Sequence, residues 1–126
     1  MAATQVSRGN KITDALRVLR TSTPDIVGAV VVNIEGFVVA SLLPSDVDEE
    51  LIAGMAASLL GVGERISTDL MGASMEQIYT RSPKGYIVLQ AISGEAALVL
   101  LVTREAKLGL IFLEVKRVAA ELARIV

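Results

Sequence analysis

"LIAGMAASLLGVGERI", Leu51–Ile66, carries no charge before Glu64 and has no evident polar face. It is too long for an ordinary strand, and "LLPSDVDEEL" at Leu42–Leu51 supplies the entry signals of a helix. Ser45 or Asp46 can cap it, with Asp48 or Glu49 three residues on completing a capping box. Asp48, Glu49 and Glu50 then sit in the first turn, where the helix dipole favours negative charge. Capping accounts for this acidic cluster without a metal. The helix should run to about Leu70 and stop near Gly72. At helical spacing Leu51, Met55, Leu59, Val62 and Ile66 share a narrow arc, expected to face a sheet. Ile52, Ala56, Leu60 and Gly63 form the adjoining flank, and Ala53, Ala57 and Gly61, followed by Glu64 and Thr68, lie opposite. A small domain can bury one side of such a helix but hardly every side, so the remainder is expected to meet another surface.

The chain has 126 residues, one domain by size, with 52% hydrophobic, 21% charged and 3% aromatic residues. Its core must therefore be built from Val, Leu, Ile and Ala. A net charge of −2 gives no electrostatic footprint for nucleic acid. Without Cys or His there is no disulfide, thiolate chemistry, imidazole metal site or triad with a His base. The Cys-free composition fits a cytoplasmic protein. "MAATQVSRGN" has no apolar segment of the kind a secretory signal needs.

Two stretches imitate membrane spans. Ile26–Leu43 contains one charge, Glu35, and Gly85–Thr103 contains one, Glu95. Both are interrupted by turn chemistry, "NIEG" at Asn33–Gly36 and "SGE" at Ser93–Glu95, and are rich in β-branched residues, so each reads as two strands joined by a turn.

Residues 1–9 are expected to be a flexible tail and residues 10–126 a single domain. Asn10 can cap a short helix with Ile12, Ala15, Leu16 and Leu19 on one face, ended by Pro24. Ile26–Val32 is a continuous apolar run, as in a strand buried on both faces, and Phe37–Ser41 returns beside it. Beyond the long helix, Ser74–Arg81 alternates, with Met75, Gln77 and Tyr79 on one side. "SPKG" at Ser82–Gly85 is a turn, and Tyr86–Ile92 and Ala96–Thr103 form a hairpin. Lys107–Val126 is an amphipathic helix with Leu108, Ile111, Phe112, Val115, Ala119, Leu122 and Val126 in its apolar stripe. The order α-β-β-α-β-β-β-α implies an α+β sandwich around one five-stranded antiparallel sheet.

Chemistry-bearing motifs are scarce. "GVGERI" at Gly61–Ile66 lacks the third glycine of a dinucleotide fingerprint and lies inside the helix. No phosphate-binding loop is present, and the carboxylates are explained by caps and exposed faces. The expectation is a protein that is not an enzyme, with no catalytic, metal or cofactor-binding residues and no cofactor.

In this order the segments "GAVVVNIEGFVVAS" at Gly28–Ser41, "DEELIAGMAASLLGVGERIS" at Asp48–Ser67, "EQIYTRSPKGYIVLQAIS" at Glu76–Ser93 and "AKLGLIFLEVKRVAAEL" at Ala106–Leu122 resemble the Roadblock/dynein light-chain family, in its bacterial type represented by mutual gliding protein B. The ordered set carries the resemblance, from about Lys11 to the end of the chain. It implies a homodimer made by antiparallel pairing of the long helices and by joining edge strands into one sheet. It further implies a non-catalytic regulator or scaffold for a Ras-like small GTPase, one GTPase docking asymmetrically on the two-fold surface. The alternative is a structural dimerisation or adaptor module of a larger complex, as in a dynein light chain. A small-molecule sensor is weaker, because the strands offer few polar groups beyond Gln90 to line a cavity.

The site expectations follow. The dimer interface should comprise Ile52, Ala56, Leu60 and Gly63 on the helix, with Met75, Gln77 and Tyr79 on an edge strand that pairs with its own copy. The partner-binding platform should comprise Ala53, Ala57, Gly61, Glu64 and Thr68.

Overall fold

The computed structural model describes the backbone of residues 2–125 and the side chains of residues 9–125. Its elements are α1 (Ala2–Ser22), β1 (Ile26–Asn33), β2 (Val38–Leu42), α2 (Glu49–Met71), β3 (Gln77–Ser82), β4 (Gly85–Ser93), β5 (Ala96–Thr103) and α3 (Leu108–Ala123). The five strands form one antiparallel sheet in the order β2-β1-β5-β4-β3. Both stretches that imitate membrane spans are hairpins, and no helix among the described residues is long and apolar enough to cross a membrane.

The two turns that matter most are built as their residues require. Asn33 Oδ1 accepts hydrogen bonds from the Glu35 and Phe37 amides, both 3.0 Å, and Gly36 takes a φ of 92°. At the other end of the sheet, Ser82 pairs with Gly85 across Pro83 and Lys84.

Two helix starts differ from expectation. Asp48, not Ser45 or Asp46, caps α2, its side chain accepting from the Glu50 and Leu51 amides. A turn from Pro44 to Val47 occupies the residues before it, so helical geometry begins only at Glu49. Asn10 does not cap α1, whose backbone runs through it from Ala2 over most of the stretch expected as a tail. Ala2, Ala3, Gln5 and Arg8 favour helix, and Gly9 weakens it by only about 1 kcal/mol. Met1, Val126 and the side chains of residues 2–8 lie outside the described residues. The end of α2 is where expected: Gly72 adopts left-handed φ 69° and its amide donates to the Thr68 carbonyl.

Each face of the sheet has its own core. On one, Ala29, Val31, Val88, Leu98 and Leu100 pack with Ile12, Leu16 and Leu19 of α1 and Ile111, Val115 and Leu122 of α3. On the other, Val30, Val32, Leu89, Ala97 and Val99 meet Ala53, Ala56 and Leu60 of α2. Strand β1 contributes to both, which is why its sequence is apolar without alternation.

The face that α2 turns to the sheet is not the one expected. Ala53, Ala56, Leu60 and Gly63 are buried, whereas Leu51, Met55, Val62 and Ile66 are each more than half exposed. Leu59 and Ile52 are half-buried at the margin of the core. The reason is room. Gly63 lies under the Met75 side chain, and a Cβ there would overlap the Met75 sulfur. A Cβ at Gly36 of the β1–β2 turn would reach only ordinary contact with Ala57 and Gly54. Small residues let the helix sit low on the sheet, and the bulky ones point away.

Candidate functional site: the surfaces around α2

The first surface is the apolar stripe Leu51, Met55, Leu59, Val62 and Ile66, which continues to Leu70 and Met71 at the end of the helix. A shallow depression runs along it, lined by Glu50, Leu51, Gly54, Met55, Ser58, Leu59 and Val62. Helix α2 also leaves part of the sheet uncovered. Val27 and Ile87 are exposed and Leu101 is half-buried, lining a concavity with Thr80 and the β3–β4 turn. This much exposed aliphatic surface on a small domain marks an interaction site.

The second surface is the outer edge of β3. The strand pairs with β4 on one side, and its other side has no neighbouring strand among the described residues. Its neighbourhood is well braced. Gln77 Nε2 donates to Gln90 Oε1 at 2.9 Å, and buried Gln90 donates to the Glu76 and Ala91 carbonyls. Tyr79 tilts against Phe112 of α3 with ring centroids 5.4 Å apart.

The third is a groove of about 460 Å³ on the opposite side of α2 from the stripe. Ala57, Leu60, Gly61, Glu64, Arg65 and Thr68 form one wall; Ile34, Ser74, Met75, Ala91, Ser93 and Gly94 supply the rest. Glu64 is partly engaged, its Oε2 accepting from the Met75 amide at 3.0 Å, and Thr68 Oγ1 donates back to the Glu64 carbonyl.

Against the sequence expectations, these positions divide cleanly. Ala56, Leu60, Gly63 and Met75, expected at a dimer interface, belong to the chain's own core. Ile52 borders that core, Gln77 is tied to Gln90, and Tyr79 lies on the α3 side. In the partner-binding set, Ala53 is fully buried. Ala57, Gly61, Glu64 and Thr68 come together in one groove. Sequence reasoning missed Ile34; its signal was a large apolar residue inside a turn held by Asn33 and Gly36.

Residues 12–102 match the Roadblock/LC7 domain. The chain belongs to the Roadblock/LC7 family. A curated relative, the uncharacterized protein MJ0714 of Methanocaldococcus jannaschii, is 37% identical over 97 residues, covering 77% of this chain and 81% of the relative. Among solved structures, "MglB with tetrameric arrangement" superposes with a TM-score of 0.86 at 23% identity, covering 94% of this chain and 89% of that one. Myxococcus xanthus MglB gives 0.85 at 18% identity, covering 93% and 88%. At those identities the likeness to MglB is one of fold. In this Roadblock/LC7 chain, α2 and the edge of β3 carry the apolar and hydrogen-bonding surface left open among the described residues.

Proposed function

We propose that this Roadblock/LC7 protein is a non-catalytic, cytoplasmic homodimer that regulates or scaffolds a Ras-like small GTPase. The observations that carry the reading are the apolar stripe Leu51, Met55, Val62 and Ile66, exposed with half-buried Leu59 among them, and the open edge of β3. Two stripes brought together antiparallel bury each other, and two β3 edges meeting across the same axis remove an aggregation-prone edge. In this reading the interface is made by the large residues of α2, in place of Ala56, Leu60 and Gly63, which pack inside each subunit, with Ile52 at the border of the core.

The MglB-like fold and the family resemblance support a small GTPase as the partner. The Ala57–Gly61–Glu64–Thr68 groove, left open by the proposed pairing, is the docking candidate within each subunit. The test is to mix the purified protein with small GTPases from the same genome in both nucleotide states, and to measure complex formation, hydrolysis and nucleotide release. Stable binding with altered hydrolysis or release supports a regulator, and binding without either supports a scaffold. Absence of binding in both states would leave the structural adaptor as the reading.

A further inference from the structure

We infer that the last two turns of α2 from a second copy of this chain cover the part of the sheet that its own α2 leaves open, with Leu70 and Met71 on the apolar floor and Asp69 facing Lys84 and Arg104. The inference rests on the homodimer proposed above and adds a reciprocal contact that neither the helix stripe nor the β3 edge contains.

The strand register shows where the cover stops. On the α2 side of the sheet, Val30, Val99, Leu89 and Ile78 lie in one row across β1, β5, β4 and β3. The first three are buried beneath α2. Two residues along each strand, the next row on that side is Gly28, Leu101, Ile87 and Thr80. Here Leu101 is half-buried, and Ile87 and Thr80 are exposed. Only the β1 end is closed, by Leu43 and Pro44, which approach Gly28 shortly before α2 begins. The rest of the row floors the concavity beside the β3–β4 turn.

The end of α2 has the converse problem, apolar side chains with nothing beneath them. Gly63 is its last buried residue, set against Met75 and Ile78, and the Glu64 carboxylate accepts from the Met75 amide. Every residue of Arg65–Met71 is exposed except half-buried Ser67. Among the described residues Leu70 and Met71 are the most exposed large hydrophobics, at 76% and 81%.

Symmetry brings floor and helix end together. An axis normal to the sheet that pairs β3 with its copy sets the two strands antiparallel. The start of the twin's β3, and the α2 end joined to it, then fall beside Thr80–Ser82 of this chain. Antiparallel pairing of the stripes independently puts the twin's α2 end next to this chain's α2 start, which borders the same row at Gly28. Charge agrees with that placement. The last turn of α2 has no basic residue and carries Asp69, so a carboxylate adds to the negative end of the helix dipole. Arg65, a turn earlier, lines the groove beside Met75. Exposed Lys84 and Arg104 line the concavity against one carboxylate, Glu105. A cationic rim over an apolar floor complements a helix end of this composition.

The chain has no Cys, so Ala73→Cys gives a single attachment point for a nitroxide spin label just beyond α2. Spin-labelled subunits are mixed with wild-type subunits carrying isotope-labelled Ile, Leu and Val methyls, and line broadening is read in the mixed dimer. The expected result is strong broadening of the Ile87 and Leu101 methyls and little at Val31 and Val88, which pack on the other face. Leu70→Ser/Met71→Ser should raise the dimer dissociation constant at least about tenfold. Asp69→Lys should raise it several-fold, and adding Lys84→Glu to the same chain should restore most of the loss. A dimer in sedimentation whose Ile87 and Leu101 methyls stay sharp would overturn the inference and leave the homodimer standing. So would a dissociation constant indifferent to Leu70→Ser/Met71→Ser. A wild-type chain that stays monomeric at the concentrations used for the spectra would remove the homodimer, and the inference with it.

Discussion

Gly85 and Gly54 show how differently one residue type can be constrained. Gly85 opens β4 at φ 149°, a conformation that L side chains rarely adopt, and a Cβ there would overlap the Val102 carbonyl oxygen. Neither the backbone nor that carbonyl can move without disturbing the β4–β5 ladder. Gly85→Ala should therefore destabilise the fold by about 2–3 kcal/mol, read as a fall in the urea midpoint. Gly54 lies mid-helix on α2 with open space around its Cβ position. Gly54→Ala should raise the same midpoint, by up to about 1 kcal/mol, because it only removes backbone freedom from the unfolded chain. Asn33 is the third case. Its side chain satisfies two amides, and Asn33→Ala should cost about 1–2 kcal/mol while loosening the turn that presents Ile34 and Phe37. The turn itself was legible in "NIEG", since Asn followed three residues later by Gly is local chemistry that tertiary structure did not alter.

At the scale of the element, every strand and helix was readable in kind and order, but the first half of α1, the start of β3 at Gln77 rather than Ser74, and the orientation of α2 were not. Strand β5 begins and ends where the apolar run and its flanking turns place it, and α2 stops at Gly72 as expected. Periodicity separates an apolar face from a polar one, but α2 is apolar around most of its circumference. Ranking by side-chain size then put Leu51, Met55 and Val62 on the sheet, whereas packing distance put Ala53, Ala56 and Gly63 there. What decided it was Met75 lying across Gly63, a contact made by a residue distant in sequence. The same distance explains the candidate groove: Ala57, Gly61, Glu64 and Thr68 were found from one helix, while Ile34, Ser93 and Gly94 come from turns that only the sheet brings near. The two orientations predict opposite phenotypes. Leu60→Arg buries a charge in the chain's own core and should abolish folding, seen as loss of the circular dichroism signal. Val62→Arg should leave that signal intact and convert the proposed dimer to monomer in sedimentation, placing a charge where the twin stripe would pack. A folded, dissociated Leu60→Arg variant would restore the first orientation.

For the whole molecule, the unequal cover of the two sheet faces is the property from which association follows. Two helices, α1 and α3, close one face, while α2 alone lies on the other and leaves Val27, Ile87 and Leu101 partly open. A monomer would keep that patch, the α2 stripe and the β3 edge all in water. Pairing about one two-fold axis would bury the stripe and the edge in a single step, because both would lie against the same axis. This coupling can be tested on backbone amides. On its outer side β3 has no neighbouring strand among the described residues, so in a monomer alternate amides of Gln77–Ser82 should exchange at the rate of solvated backbone. In the proposed dimer they would donate across the axis and exchange should slow by orders of magnitude. Val62→Arg, on a different element, should restore fast exchange along β3 while the β1–β5 ladder stays protected. Slow exchange along β3 that persists in a monomeric Val62→Arg protein would separate the strand from the helix. The edge would then be shielded by something other than its copy, and α2 alone would carry the association.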